Sequence, residues 1–295
     1  MNNINKANKL WGLAAASLSA ISFGVAPILA KNAYAAGCSE TTLTFWSMLL
    51  AIAPLLTVTL CRRISLRVTK RELPLLLLAS ASCCAALFLY NSAAAYLPAG
   101  STTALHYLYP ALVLLAGIAF FSLRMTVLRI VAVVFNMTGV LLFFERGGSN
   151  TTLGSILALA SAVCYAVYAL SIDKTKLQKM DSFKIALYVC LISAAVLFVY
   201  GTATSELQWR VPSGAWTGIA LTALTTQFIG IAFFQIGIKR IGSMQTSFAS
   251  TLEPLTSVVA GVLLFHERIT LVLGIGCALI CFGIILNAFS TAAET

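Results

Sequence analysis

Leu153–Leu170 reads LGSILALASAVCYAVYAL, a run with no Asp, Glu, Lys, Arg or His whose polar side-chain atoms are almost all hydroxyls. At 1.5 Å of rise per residue, a helix of this length nearly spans a hydrocarbon layer about 30 Å thick. Near the start of the chain, Leu10–Lys31 reads LWGLAAASLSAISFGVAPILAK and repeats the layout. Gly12 stands to Gly154 at the same offset as Ser19-Ala20 to Ser161-Ala162 and Phe23 to Tyr165. Two residues further in offset, Asn91, Pro110, Ala116-Gly117, Phe121, Arg124 and Gly139 fall on Gln235, Pro254, Ala260-Gly261, Phe265, Arg268 and Gly283. One such coincidence means little in so small-residue-rich a chain, but the ordered set marks an internal repeat.

The rest of the chain extends the same reading. Hydrophobic residues make up 60% and charged residues 9%, with mean hydropathy +0.94, where a soluble domain carries about 25% charge. Ten apolar runs are expected to cross a bilayer: Trp11–Ala30, Leu43–Leu60, Pro74–Ala95, Ser101–Phe121, Val127–Phe144, Leu153–Ile172, Phe183–Gly201, Trp216–Gly237, Ser243–Phe265 and Thr270–Ala288. The first run continues past the length of a signal peptide's apolar region and reads as an uncleaved span. The fold class is therefore an all-α integral membrane protein of ten helices, in two five-helix repeats over residues 1–148 and 149–295. Five is odd, so the second copy enters the membrane from the opposite side, and the repeats are inverted.

Positive residues are retained on the cytoplasmic side. Lys and Arg crowd the N-terminus and alternate gaps, and only Lys31, Arg146, Arg210 and Arg268 fall in the others. Both termini are thus expected in the cytoplasm of a cell whose inner (plasma) membrane holds the chain. The net charge of +10 is spread over these gaps and forms no basic patch with aromatic platforms, which argues against nucleic acid as a partner. The cysteines lie mostly inside apolar runs and show no C-x-x-C or Cys/His metal spacing. No catalytic constellation, metal site or cofactor loop is legible.

Polar residues inside the runs mark a candidate site. Glu253 lies mid-span, where an ionised carboxylate costs at least about 3 kcal/mol unless it has a partner, a proton or water. Thr246, Ser250, Glu253 and Ser257 share one face of a continuous helix. His106 lies on a comparable stripe with Thr102, Thr103 and Tyr109 in the span that the repeat aligns with it, so the stripes should face one another. Glu253 also fits a carboxyl that only holds a helix break at Pro254, and His106 a neutral imidazole bonded to hydroxyls. Tyr165 and Tyr168 sit one turn apart and could wall a cavity; Tyr90, Tyr107 and Trp46 also lie off the simplest interfacial positions. The amides Asn91, Gln227 and Gln235 suit an uncharged or zwitterionic ligand, or tie helices together. Pro110 and Pro254 should kink their spans and can serve as hinges. Lys31, the Asp173-Lys174 pair, Lys239 and Arg240 read as interfacial anchors, and Glu267 with Arg268 as a brace at a turn.

These stretches, with TLEPLTSVVAGVLLFHERIT at 251–270 and LGIGCALICFGIILN at 273–287, resemble the drug/metabolite transporter superfamily, specifically its EamA-type ten-helix exporters. The likeness runs from Leu10 to Phe289. It departs from the pattern in the first repeat, where Leu123 matches Glu267 and Tyr109 matches Glu253. It implies a secondary carrier, not an enzyme, that exports small polar metabolites such as amino acids by alternating access between inverted repeats. Other members carry sugars, nucleotide sugars and further small solutes. An intramembrane enzyme or an accessory subunit is the competing class. The partners expected are a small-molecule cargo and membrane lipid, and Glu253 permits proton coupling.

Overall fold

The computed structural model describes residues 2–94, 96–97, 99–121, 126–142, 151–265 and 270–293, and the regular structure among them is helical. The first half contains α1 (Asn2–Gly24), α2 (Ala26–Ala35), α3 (Glu40–Cys61), α4 (Leu73–Ala94), α5 (Ala99–His106), α6 (Tyr109–Phe121) and α7 (Val127–Leu141). The second contains α8 (Thr151–Asp173), α9 (Ser182–Ala203), α10 (Ala215–Thr222), α11 (Ile231–Ala249), α12 (Leu252–Phe265) and α13 (Leu271–Ala293). A π-helical stretch, Ala223–Gly230, joins α10 to α11. Side-chain oxygens start the helices where the chain leaves a loop. Ser39 accepts from the Thr42 N–H and Thr126 from the Arg129 N–H, while Asp181 accepts from the N–H groups of Phe183 and Lys184. These caps satisfy donors that the first turn leaves without partners.

Seven described segments are long and apolar enough to cross a membrane. The helix α7 and the stretch Gly274–Leu286 are apolar but shorter. Large side chains stand exposed on the outer surface, Phe120 at 79% and Leu271 at 82%. A surface so apolar is a liability in water and the normal outer face in lipid.

The helices pair across the two halves. The most extensive contacts put α4 on α8, α1 on α11, α3 on α9 and α7 on α13. Exchanging the halves turns the first of these pairs into the second and each of the others into itself. The pattern reaches single hydrogen bonds. Ser19 Oγ of α1 donates to the Gly230 carbonyl at 2.7 Å, and Ser161 Oγ of α8 donates to the Ala86 carbonyl of α4 at 2.8 Å. Donor and acceptor positions both match under the sequence repeat.

Three expected spans are not continuous helices. The first breaks at Val25, the fourth at Tyr107-Leu108, and the ninth at Ser250-Thr251. Pro27, Pro110 and Pro254 each fall within the first turn of the helix that follows, where a missing N–H costs nothing. The expected kinks at Pro110 and Pro254 are corrected accordingly: each proline starts a half-helix. Pro54 lies inside α3 without breaking it. Freed carbonyls and amides at the breaks find partners. Ser257 Oγ donates to the Gly24 carbonyl at 2.8 Å, and Thr251 Oγ1 shares its one proton between the Phe248 carbonyl at 2.6 Å and Asn136 Oδ1 of α7 at 2.8 Å.

The eighth expected span runs without a gap into the ninth, because helical residues lie on both sides of Gly242. Gly242 makes the bend at φ 83° and ψ 162°, a backbone region closed to residues with a Cβ. Asp173, expected as a simple anchor, fixes the new leg. Its Oδ2 accepts from the Ser243 N–H at 3.2 Å and Oγ at 2.7 Å, and pairs with Lys174 Nζ at 3.0 Å. Asp173→Ala removes this cap and is expected to cost about 1 kcal/mol of stability, read as a lower unfolding temperature in detergent. An unchanged temperature would show that the bend holds itself. Glu267, Arg268, Leu123, Arg124 and Arg146 lie outside the described residues, as does the side chain of Lys31.

Candidate functional site

Two of the breaks bring the fourth and ninth expected spans together. The last residue of α5 is His106 and the first of α6 is Tyr109, with Tyr107 in the gap. The facing break ends α11 at Ala249 and starts α12 at Leu252, with Ser250 in the gap and Glu253 in the first helical turn. Tyr107 interacts with the Glu253 carboxyl and Tyr109 with Ser250. The two stripes do face one another, but through residues of the breaks and not as two continuous faces. In the structure Thr246 Oγ1, Ser250 Oγ and Ser257 Oγ donate to the carbonyls of Gly242, Thr246 and Gly24, so these hydroxyls mostly serve backbone.

Glu253 is not in the middle of a helix. A helix N-terminus carries about half a positive charge, and a carboxylate in its first turn gains roughly 0.3–1 kcal/mol or more when water is excluded. The break therefore supplies part of what a mid-membrane carboxylate lacks.

Aromatic rings fill the space between the breaks. His106 lies 5.5 Å from Tyr165, 5.6 Å from Tyr109 and 5.1 Å from Tyr90, centroid to centroid. Tyr165 in turn lies 4.7 Å from Tyr109, 5.6 Å from Tyr168 and 5.4 Å from Phe234. Edge and tilted contacts at these distances are favourable. The far end of the cluster is Gln235, whose Nε2 donates to the Tyr168 hydroxyl at 3.1 Å. Its Oε1 is buried and has no hydrogen-bond partner among the described residues. His106, Tyr90, Tyr165 and Glu253 are partly buried, whereas Tyr109, Tyr168 and Gln235 are fully buried.

The hydrogen bonds of His106 settle its tautomer. Ser161 has one proton, and it goes to the Ala86 carbonyl. His106 Nδ1, 2.7 Å from Ser161 Oγ, must then be the donor. A neutral imidazole in that state offers Nε2 as an acceptor. Ser161→Ala leaves His106 Nδ1 without its partner, while the Ala86 carbonyl keeps only its bond within α4, and is expected to slow function about tenfold. Rates equal to wild type in a vesicle uptake assay would show that the imidazole orientation does not matter.

The cluster brings together His106, Tyr109, Tyr165, Tyr168, Gln235, Ser250 and Glu253, with Pro110 and Pro254 opening the half-helices beside it. Two of the sequence candidates lie elsewhere. Asn91, next to Tyr90 on α4, lines a cavity of about 300 Å³ with Glu40, Thr44, Ser92, Tyr200 and Glu206. Gln227 sits in the π-helical stretch and donates to Ser47 Oγ of α3 at 3.4 Å, a tie between helices. Trp46 packs on Trp216 and Phe45. Sequence reasoning named Tyr90 and Tyr107 only as aromatic residues off the simplest interfaces and missed Phe234. At the opposite end from the Asn91 cavity, a second cavity of about 200 Å³ is lined by Val113, Gly117, Arg129, Asp173, Gly242 and Ser243. The aromatic cluster lies between the two.

Comparison with known proteins gives a consistent picture. The model of the EamA-like transporter family matches residues 10–145 and again 152–289. Uncharacterized transporter YoaV of Bacillus subtilis is 27% identical over 209 residues, which is 66% of this chain and 68% of that protein. Uncharacterized transporter YvbV of the same species is 28% identical over 211 residues, 68% of this chain and 66% of its own length. An uncharacterized transporter of Archaeoglobus fulgidus is 25% identical over 284 residues, covering 94% of this chain and 96% of that one. A solved protein crystal structure superposes with TM-score 0.81 at 19% identity, covering 97% of this chain and 99% of that one, and shows the shared fold.

Proposed function

This chain belongs to the EamA-like transporter family of multi-pass membrane proteins, and we propose that it is a secondary carrier exporting small polar metabolites, amino acids among them. The observation that carries this reading is the aromatic and carboxylate cluster held between two half-helix starts, with a cavity toward each end of the bundle. Discontinuous helices at the repeat interface are a recurring way to build a midplane site that opens alternately to either side. In this reading the repeats are residues 1–148 and 149–295, the chain crosses the inner (plasma) membrane ten times, and both termini are cytoplasmic. The cargo contacts Glu253, His106, Tyr109, Ser250, Tyr165, Tyr168 and Gln235. Asn91 lines the way out, Gln227 supports the wall, and Pro110 and Pro254 set the half-helices that move. Lipid is the surrounding partner, nucleic acid is none, and Glu253 can carry a proton in exchange for cargo.

The reading is tested by counterflow. Purified protein in liposomes loaded with unlabelled amino acids should accumulate the labelled compound saturably and release it unchanged, with protein-free liposomes as control. Release of a modified compound would favour an intramembrane enzyme, and silence across amino acids, sugars and nucleosides an accessory subunit. Orientation is checked separately. In a cysteine-free background, Ser92→Cys should react with a membrane-impermeant maleimide from outside intact cells and Lys176→Cys only after permeabilisation; the reverse pattern would invert the topology.

A further inference from the structure

We propose that the aromatic cluster recognises its cargo through a protonated primary amino group, so that decarboxylated amines are bound at least as well as the matching amino acids. This deepens the carrier reading and rests on it for the identity of the site. Apart from the phenol O–H groups of its tyrosines, the groups the cluster offers are acceptors and ring faces. Glu253 presents its carboxyl group at one end, held by Tyr107. Gln235 presents, at the other, a buried Oε1 that accepts from nothing among the described residues. Between them, the Ser161 hydroxyl and the Ala86 carbonyl fix His106 so that neutral imidazole keeps the lone pair of Nε2 as an acceptor. The rings of Tyr109, Tyr165 and Tyr168 complete the wall.

This set matches an ammonium group from each side. A cation within about 6 Å of a tyrosine face is attracted by the ring quadrupole, a carboxylate supplies the opposite charge, and bare acceptors require N–H donors. It matches an anion less well, because its only side-chain donors are neutral. Among the described residues no Lys or Arg has a ring contact, hydrogen bond or ion pair with the cluster. The start of α6 offers at most about half a positive charge, and Pro110 removes one of its N–H groups. A cargo carboxylate thus gains little here and faces Glu253. A trimethylated ammonium keeps its charge but has no N–H to give, so the acceptors separate it from a primary amine.

The test is equilibrium binding to the purified full-length protein in detergent, followed by counterflow. The probes are phenylalanine, phenethylamine, 3-phenylpropionate and N,N,N-trimethylphenethylammonium, with leucine, 3-methylbutylamine and 4-methylpentanoate as an aliphatic set. Expected is binding of the amine of at least one set, as tight as its amino acid, with the deaminated acid and the trimethyl compound weaker by about tenfold or more. Tighter binding of an acid than of its amine, or no amine binding at millimolar concentration, overturns the proposal. Amine binding without counterflow keeps it and counts against the carrier reading instead, so the two failures are told apart. Glu253→Asp, which keeps the charge, should retain the amine preference where Glu253→Gln loses it.

Discussion

Glu253→Gln is expected to lower uptake at sub-saturating cargo about a hundredfold while leaving a folded, monodisperse protein. The size follows from the kind of group removed. Deleting one partner of a desolvated charge pair costs about 3 kcal/mol or more, and each 1.4 kcal/mol is a factor of ten. The fold should survive because the side chain keeps its shape and its contact with Tyr107, while a first-turn carboxylate contributes only roughly 0.3–1 kcal/mol to α12. The same substitution should remove any response of transport to an imposed pH gradient, since no other carboxyl is present among the cluster residues. Uptake by the Gln variant at the wild-type rate would reduce Glu253 to a helix-starting residue. Uptake that falls but still follows the pH gradient would place proton coupling elsewhere.

What the sequence could show of this site depended on the kind of signal each residue leaves. The repeat was legible because matching positions make matching bonds: Ser19 and Ser161 both hold a carbonyl of the helix across the halves. The convergence of His106 with Glu253 was legible for the same reason. The breaks were not. A run of apolar residues reports that a segment can cross, and a proline inside it reads as a kink whether the helix bends, restarts or, as at Pro54, continues. A helical wheel assumes continuity, so it placed Glu253 on a polar stripe and gave Tyr107 no special part, although the break turns that phenol toward the carboxyl. Asn91 shows the limit of repeat alignment. It matches Gln235, but its neighbour Tyr90 is the residue that reaches His106. One residue of helix turns the side chain by about 100°, enough to move Asn91 from the cluster to the Asn91–Glu206 cavity. The bend at Gly242 was hidden because helical residues lie on both sides of it and only the positive φ marks the turn.

The crossing of α7 and α13 makes the second strong prediction, and it tests whether the packing of the repeat supports the site. Gly139 and Gly283, matched by the repeat, lie where the two helices touch. A Cβ on Gly283 would press on the Asn136 side chain, its Cγ at 2.8 Å, and on the Ala132 carbonyl at 2.9 Å. A Cβ on Gly139 would stand 2.7 Å from the Gly276 carbonyl and 2.8 Å from Ile280. Close backbone approach at small residues is how helices associate where lipid offers no hydrophobic drive, and overpacking such a contact costs about 1–3 kcal/mol. Gly139→Ala and Gly283→Ala should therefore each lower the unfolding temperature in detergent by several degrees. Their effects on transport should differ. Asn136 is the side chain displaced by Gly283→Ala, and its Oδ1 lies 2.8 Å from Thr251 Oγ1 in the break that precedes Glu253, sharing that hydroxyl's one proton with the Phe248 carbonyl at 2.6 Å. Transport should thus fall further in Gly283→Ala than in Gly139→Ala at equal loss of stability. Adding Asn136→Ala should recover part of the stability lost by Gly283→Ala, a coupling of about 1 kcal/mol in a double-mutant cycle, but not the transport, because the brace on Thr251 is then gone. If Gly283→Ala transports as well as Gly139→Ala, the brace at the break is packing alone and the site does not depend on it.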